Sequence, residues 1–264
     1  TPGATIASHH GSKCASIIAA STNNGVGVAG IAGGNYGLSS PNPGCELYSM
    51  KVYGSGSVTF SDRISDAYID GAVNLITNPN SFGLHLFNHS GGMTNGGGDD
   101  PDDPKVWRAV EWVFKHQAMI VATRGNQNVQ NVDITTLRYP GCYDDDRVLC
   151  VGGSGNNGEI QSDANIGQDP GYRCAVRYGE PLDVIAPANG RLVVTIGINS
   201  PSHYQVFGCS SAAAPHATGI AALLMGYIHE QGSNVPNPLA PEDVEQIIQR
   251  TAQDRGLNTN YTPT

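Results

Sequence analysis

Short, unbroken apolar runs alternate in this chain with segments whose apolar residues recur at helical spacing, and that alternation constrains the fold most. Leu84–Phe87, Met119–Ala122, Val148–Val151 and Leu182–Ile185 read as strands, preceded by an apolar-rich strand at 46–52. Helices are expected at 10–20, 61–77, 104–117, roughly 211–230, and from Pro241 onward. Ile64, Ala67, Tyr68, Ala72, Val73 and Ile76 mark the core face of the second helix. Val106, Val110, Val113 and Phe114 mark that of the third, which has Pro104 at its start. Strands that lack polar alternation are buried on both faces, as in a parallel sheet sandwiched by helices. The expected class is α/β, three layers α/β/α around a mostly parallel sheet. Functional groups then gather on loops at the carboxyl ends of the strands.

The 264 residues suffice for one large domain, and 39% hydrophobic against 14% charged content supports a packed core rather than disorder. A net charge of -9 argues against a nucleic-acid partner. No apolar run is long enough to span a membrane. No signal peptide is present, so Thr1 reads as an internal or processed start. Only 14 Lys and Arg, with an even six cysteines, fit a secreted or extracytoplasmic protein. Cys142 and Cys150 flank Asp144-Asp145-Asp146-Arg147 and could close a surface loop. Cys14 and Cys209 read as buried thiols that could also pair with each other, and the connectivity stays open. The acidic stretch 96–103 reads as a solvated loop in preference to a cation site.

Three segments carry candidate chemistry. Gly208-Cys209-Ser210-Ser211-Ala212-Ala213-Ala214-Pro215-His216 leads into the long fourth helix. Ser211 falls in its first turn, where unpaired N–H groups and the positive dipole end favour a developing anion. Pro215 is expected in that same turn, where a missing N–H costs nothing. His10, or its neighbour His9, stands at the mouth of the first helix and could take a proton from a serine hydroxyl. Asn126, in Thr123-Arg124-Gly125-Asn126, follows a buried strand and could donate to an oxyanion. Asn88-His89-Ser90-Gly91-Gly92 also follows a strand, and its glycines would let a peptide backbone pair along it.

In this order, His10-Gly11-Ser12, Ser90-Gly91-Gly92, Gly125-Asn126 and the Ser211 block resemble the subtilisin-like (S8) serine proteases. Residues 23–32 match the loop after that family's histidine helix, and Leu182-Asp183-Val184-Ile185-Ala186-Pro187 matches one of its strands. The resemblance covers nearly all of residues 1–264, read as one peptidase domain incomplete at its N-terminus. It implies Ser211 as nucleophile, in preference to Ser210, because the nucleophile stands four residues before the proline. It implies His10 as general base, Asn126 in the oxyanion site, and Ser90, Gly91, Gly92 and Gly125 along the substrate. Arg138, before Tyr139-Pro140, takes a position the family usually fills with a small residue at the floor of the pocket for the residue before the cut. An arginine there would favour an acidic side chain.

The family's catalytic aspartate, in an Asp-Ser/Thr-Gly turn, is absent. Only nine residues precede His10, none of them acidic, and no later Asp-Ser/Thr-Gly occurs. Asp62, Asp66 and Asp70 lie on a helix that the resemblance places away from the site. The expectation is a separate or missing N-terminal segment that carries the aspartate and a central strand of the sheet. The rival is a catalytically inactive pseudoprotease that binds peptides. A non-peptidase serine hydrolase is disfavoured, for want of a Gly-x-Ser-x-Gly elbow. No cofactor is required. The resemblance leaves a structural calcium open at Thr22 to Val28, with Asn24 and the carbonyls of Thr22, Val26 and Val28 as ligands; its acidic ligand would come from the missing segment, since a neutral set alone binds weakly.

Overall fold

The computed structural model describes residues 9–37, 42–53, 59–72, 84–92, 103–127, 138–143, 147–155, 175–176, 181–188, 194–196, 204–231 and 239–254. In chain order the elements are α1 (His10–Ala19), β1 (Gly34–Asn35), β2 (Asn42–Pro43), α2 (Phe60–Ala72), β3 (Leu86–His89), α3 (Pro104–Lys115), β4 (Met119–Thr123) and β5 (Asn126–Gln127). There follow β6 (Val148–Ser154), β7 (Ala175–Val176), β8 (Val184–Pro187), β9 (Val194–Ile196), β10 (Tyr204–Val206), α4 (Ser210–Gln231) and α5 (Pro241–Thr251).

The central sheet is parallel, in the order β3-β4-β6-β8. Successive side chains of β4 go to opposite layers, as the pleat requires. Ile120 and Ala122 join Ile64, Val106 and Val110 of α2 and α3. Met119 and Val121 join Ala213 and Ala217 of α4 and Val244 of α5. These two cores on either side of one sheet make the three layers. The run of buried alanines on α4 (Ala212, Ala213, Ala214, Ala217, Ala221) lets that helix lie close against the strands. Asp103 caps α3 by accepting from the Lys105 backbone N–H at 2.9 Å, and Pro104 occupies its first turn.

Several expectations need correction. Residues 46–52 form no strand. They run with Leu47 and Tyr48 about half exposed, while Met50 and Val52 touch the α2–α3 core. A strand exists only in a ladder beside another strand, and among the described residues none is laid against this segment. Among the described residues β3 is correspondingly an edge, paired on one side to β4 alone. Strands expected at Leu84–Phe87 and Leu182–Ile185 form two residues later, and α2 is described only to Ala72. Three two-stranded antiparallel ribbons, β1–β2, β5–β7 and β9–β10, were not expected, since segments of two or three residues are too short for a periodic apolar pattern to mark them. Cys14, Cys142 and Cys150 are buried and in no disulfide, so Cys14 does not pair with Cys209, and the Cys142–Cys150 loop closure is not made. Most of the acidic stretch 96–103 lies outside the described residues.

His89 ends β3 facing α2, where its Nδ1 and the Tyr68 hydroxyl share a hydrogen bond of 2.8 Å. Burial pushes its imidazole down to about 4. The unfolded chain therefore binds a proton below about pH 6.5 that the folded chain refuses. Stability should fall by about 2 kcal/mol between pH 6.5 and pH 5 from this group. Urea unfolding at the two pH values should show the loss, and His89→Leu should remove that part of it. An unchanged pH dependence in the variant would contradict the burial argument.

Candidate active site

The carboxyl ends of β3 and β4 and the start of α4 converge on one place. β3 delivers Ser90, Gly91 and Gly92; β4 delivers Arg124, Gly125 and Asn126; α4 opens with Ser210 and Ser211. Cys209, just ahead, holds a left-handed φ of 66°, and its N–H bonds the Ala188 carbonyl at 2.8 Å. That backbone turn aims the two serines differently. Ser210 is fully buried, and both its N–H (2.8 Å) and its Oγ (2.7 Å) donate to Asn126 Oδ1. Ser211 is only partly buried, and its Oγ donates to the Ser90 carbonyl at 3.3 Å. Ser210 is thus held on Asn126, while the partly buried Ser211 hydroxyl turns to the residues that follow β3. The oxygen end of the Asn126 amide is thus held by Ser210.

Pro215 is not in the first turn, as expected, but inside α4. Its missing N–H would have bonded the carbonyl four residues back, which is that of Ser211. Cys14 supplies a replacement: its thiol donates to that carbonyl at 3.5 Å. The same sulfur lies 3.8 Å from His10 Nδ1, one turn earlier on α1. Burial pushes the Cys14 thiol up to about 11, so it stays neutral. One buried thiol therefore bridges the two helices that carry His10 and Ser211. Sequence reasoning missed this role; the signal was the spacing of Cys14 from His10, one helical turn.

His10 stands solvent-exposed at the first position of α1, edge-on to Phe207 with ring centroids 5.3 Å apart. Crowding by surrounding atoms, then the Lys13 ammonium, hold its imidazole below the usual histidine range. No carboxylate raises it among the described residues, and His10 makes no hydrogen bond there with Ser211. A thiol is a weak partner for Nδ1 and gives an imidazolium no opposing charge. Asp62 is engaged elsewhere, paired with Lys105 on the α2–α3 surface.

Arg138 runs against both glycine walls. A Cβ on Gly125, whose φ is +97°, would stand 2.5 Å from Arg138 Cδ, and one on Gly92 would stand 3.4 Å from Arg138 Cβ. The Gly92 N–H donates to the Tyr53 hydroxyl at 3.3 Å, a second contact the sequence did not disclose. At the loop proposed for calcium, the Thr22 carbonyl accepts the Tyr36 N–H at 3.1 Å, and Asn24 Oδ1 accepts the Val26 N–H at 3.0 Å.

The sequence model of the subtilase family, peptidase S8, matches residues 3–262. The chain belongs to that family. This subtilase is 29% identical over 260 residues to the extracellular basic protease of Dichelobacter nodosus, covering 95% of this chain and 37% of that protein. It is 28% identical over 245 residues to a thermophilic serine proteinase of Bacillus sp. strain AK1, covering 92% and 47%. Its structure resembles that of a protease from Pseudoalteromonas arctica, with a TM-score of 0.66, 25% identity, and coverage of 96% of this chain and 67% of that one. The chain spans between 37% and 62% of the length of the curated relatives it matches. Those relatives include proteases named as extracellular and others named as intracellular. No helix among the described residues is long and apolar enough to cross a membrane.

Proposed function

We propose that this subtilase is a serine endopeptidase whose orienting aspartate comes from a segment outside the present sequence. Ser211 attacks the peptide carbonyl, and His10 takes its proton and returns it to the leaving amine. Asn126 and the Ser211 backbone N–H hold the oxyanion. Ser90, Gly91 and Gly92 pair with the substrate backbone, with Gly125 beside them. An incoming peptide N–H that takes the Ser90 carbonyl would release the Ser211 hydroxyl, now bonded to it, toward His10.

The observation that carries this reading is the contrast between the two serines: Ser210 locked to Asn126 at 2.7 Å, Ser211 presented at the cleft. The segment proposal is supported by a His10 without a carboxylate neighbour among the described residues. It is supported also by β3, which among the described residues pairs on one side alone, and by the 46–52 stretch, which forms no strand there; the two leave room for one more strand. Residues 1–264 would then be one peptidase domain, completed at its N-terminal side by a separate chain or by the rest of a larger precursor. Secretion is favoured by the extracellular relative.

The rival is a pseudoprotease that binds peptide without cutting it, favoured by the Ser211 hydroxyl resting on Ser90 rather than on His10. A fluorophosphonate probe separates the two. Labelling that maps to Ser211 and vanishes in Ser211→Ala is the expected result. No labelling, with every copurifying fragment present, would leave the binding module standing.

A further inference from the structure

We infer that Arg138 makes the pocket before the scissile bond selective for an acidic side chain, an inference that rests on the peptidase reading above for the direction in which substrate lies. The guanidinium is a cation set between bare backbone walls. Its aliphatic stem lies against Gly92 on one side and Gly125 on the other, the ends of β3 and β4 along which a substrate would run. Its Nε is buried with no hydrogen-bond partner among the described residues. The groups that act on it electrostatically are the Tyr53 hydroxyl and the Cys142 thiol, neither of them a carboxylate. Burial holds its proton affinity below the usual arginine range.

Among the described residues no counter-ion acts on this half-buried cation, an arrangement that is costly, and a ligand carboxylate removes that cost. Guanidinium is the side chain best shaped for the task, since its planar fork matches a carboxylate with two parallel hydrogen bonds. Tyr53 adds to the same end of the cleft. Its hydroxyl already accepts from Gly92 N–H, so its own proton is available to a second acceptor. An uncharged amide of the same shape would gain the contacts but not the neutralisation. A large aromatic side chain would strand the guanidinium against apolar surface.

Binding tests this without requiring turnover. Fluorescent tetrapeptide acids differing only in their last residue (Glu, Gln, Ala or Phe) would be titrated by anisotropy against Ser211→Ala protein, alone and with Arg138→Gln or Arg138→Lys. The Glu peptide should bind about 10- to 100-fold more tightly than the Gln peptide. Arg138→Gln should abolish that ratio and Arg138→Lys should keep part of it. The circular dichroism of each variant shows whether it is folded, and the Lys variant serves if the Gln variant is not. Equal binding of Glu and Gln, preference for Ala or Phe, or a ratio that survives in Arg138→Gln would overturn the inference. So would failure of all four peptides to bind. Fluorophosphonate labelling of the wild-type chain reports separately on the peptidase. A chain that labels at Ser211 yet binds Glu and Gln alike keeps its catalysis and loses this role for Arg138. A chain that does not label yet selects Glu keeps the role and loses catalysis.

Discussion

Adding a segment with an Asp-Ser/Thr-Gly turn should raise the turnover of this chain by about 10⁴. The figure follows from what His10 lacks. Its Nδ1 faces the neutral Cys14 thiol at 3.8 Å, and its ring is steadied by Phe207 rather than by a charge. Nothing in that arrangement fixes the tautomer or stabilises the imidazolium that forms when Ser211 gives up its proton. A carboxylate on Nδ1 would do both, and would also raise the imidazole's proton affinity. The sign of the pH effect follows. His10 acts as a base only when neutral, so for the chain alone the acid limb of kcat/KM should lie below the usual histidine range. With the segment bound, that limb should move up in pH while the plateau rises. The segment should also pair with the open edge of β3 and bury Leu47 and Tyr48, which are 49% and 48% exposed. A segment with Asn in place of the Asp should dock and protect the β3 amides from exchange, yet give little of the rate. Equal rates with Asp and Asn would contradict the account of His10.

Replacing Asn126 should lower kcat by about 10² to 10³ while leaving KM nearly unchanged, because its donor bond forms only as the oxyanion develops. The residue has two ends with two tasks, and two substitutions separate them. Asn126→Ala removes the acceptor for Ser210 N–H and Oγ along with the donor. Ser210 is fully buried, so the orphaned groups should cost about 1–3 kcal/mol of stability besides the loss of rate. Asn126→Asp keeps the acceptor and replaces the donor with a charge that repels an oxyanion. It should hold near-native stability in urea and still lose the rate. Full activity in Asn126→Asp would remove Asn126 from the oxyanion site.

The parts of the fold legible in the sequence are those whose signal is local. Continuous apolar runs mark β4 and β6 because both faces of those strands are covered, by α2 and α3 on one side and α4 and α5 on the other. The preference for Ser211 over Ser210 comes from spacing to Pro215; the bond of the Ser210 hydroxyl to Asn126 carries no such sequence signal. What stayed hidden depends on partners distant in the chain. Residues 46–52 have the composition of a strand, but pairing needs a neighbour that composition does not supply. Pro215 looked harmless at a helix start; inside α4 it orphans the Ser211 carbonyl, and the remedy comes from Cys14, 197 residues earlier. The contact of Tyr53 with Gly92, across 39 residues, is equally invisible before folding. The thiols misled for a related reason. Cys142 and Cys150 bracket an acidic surface-like segment, yet both point inward, where Cys142 accepts from the Arg138 N–H at 3.0 Å.

The central claim is that Ser211 and His10 form a working pair only when a carboxylate reaches them from outside these residues. The most direct measurement is mass spectrometry and N-terminal sequencing of native material labelled with a fluorophosphonate. The account predicts label on Ser211 in material that also contains an Asp-Ser/Thr-Gly segment, either as a copurifying chain or as preceding sequence. Rapid labelling of Ser211 in material that contains no such segment would contradict it.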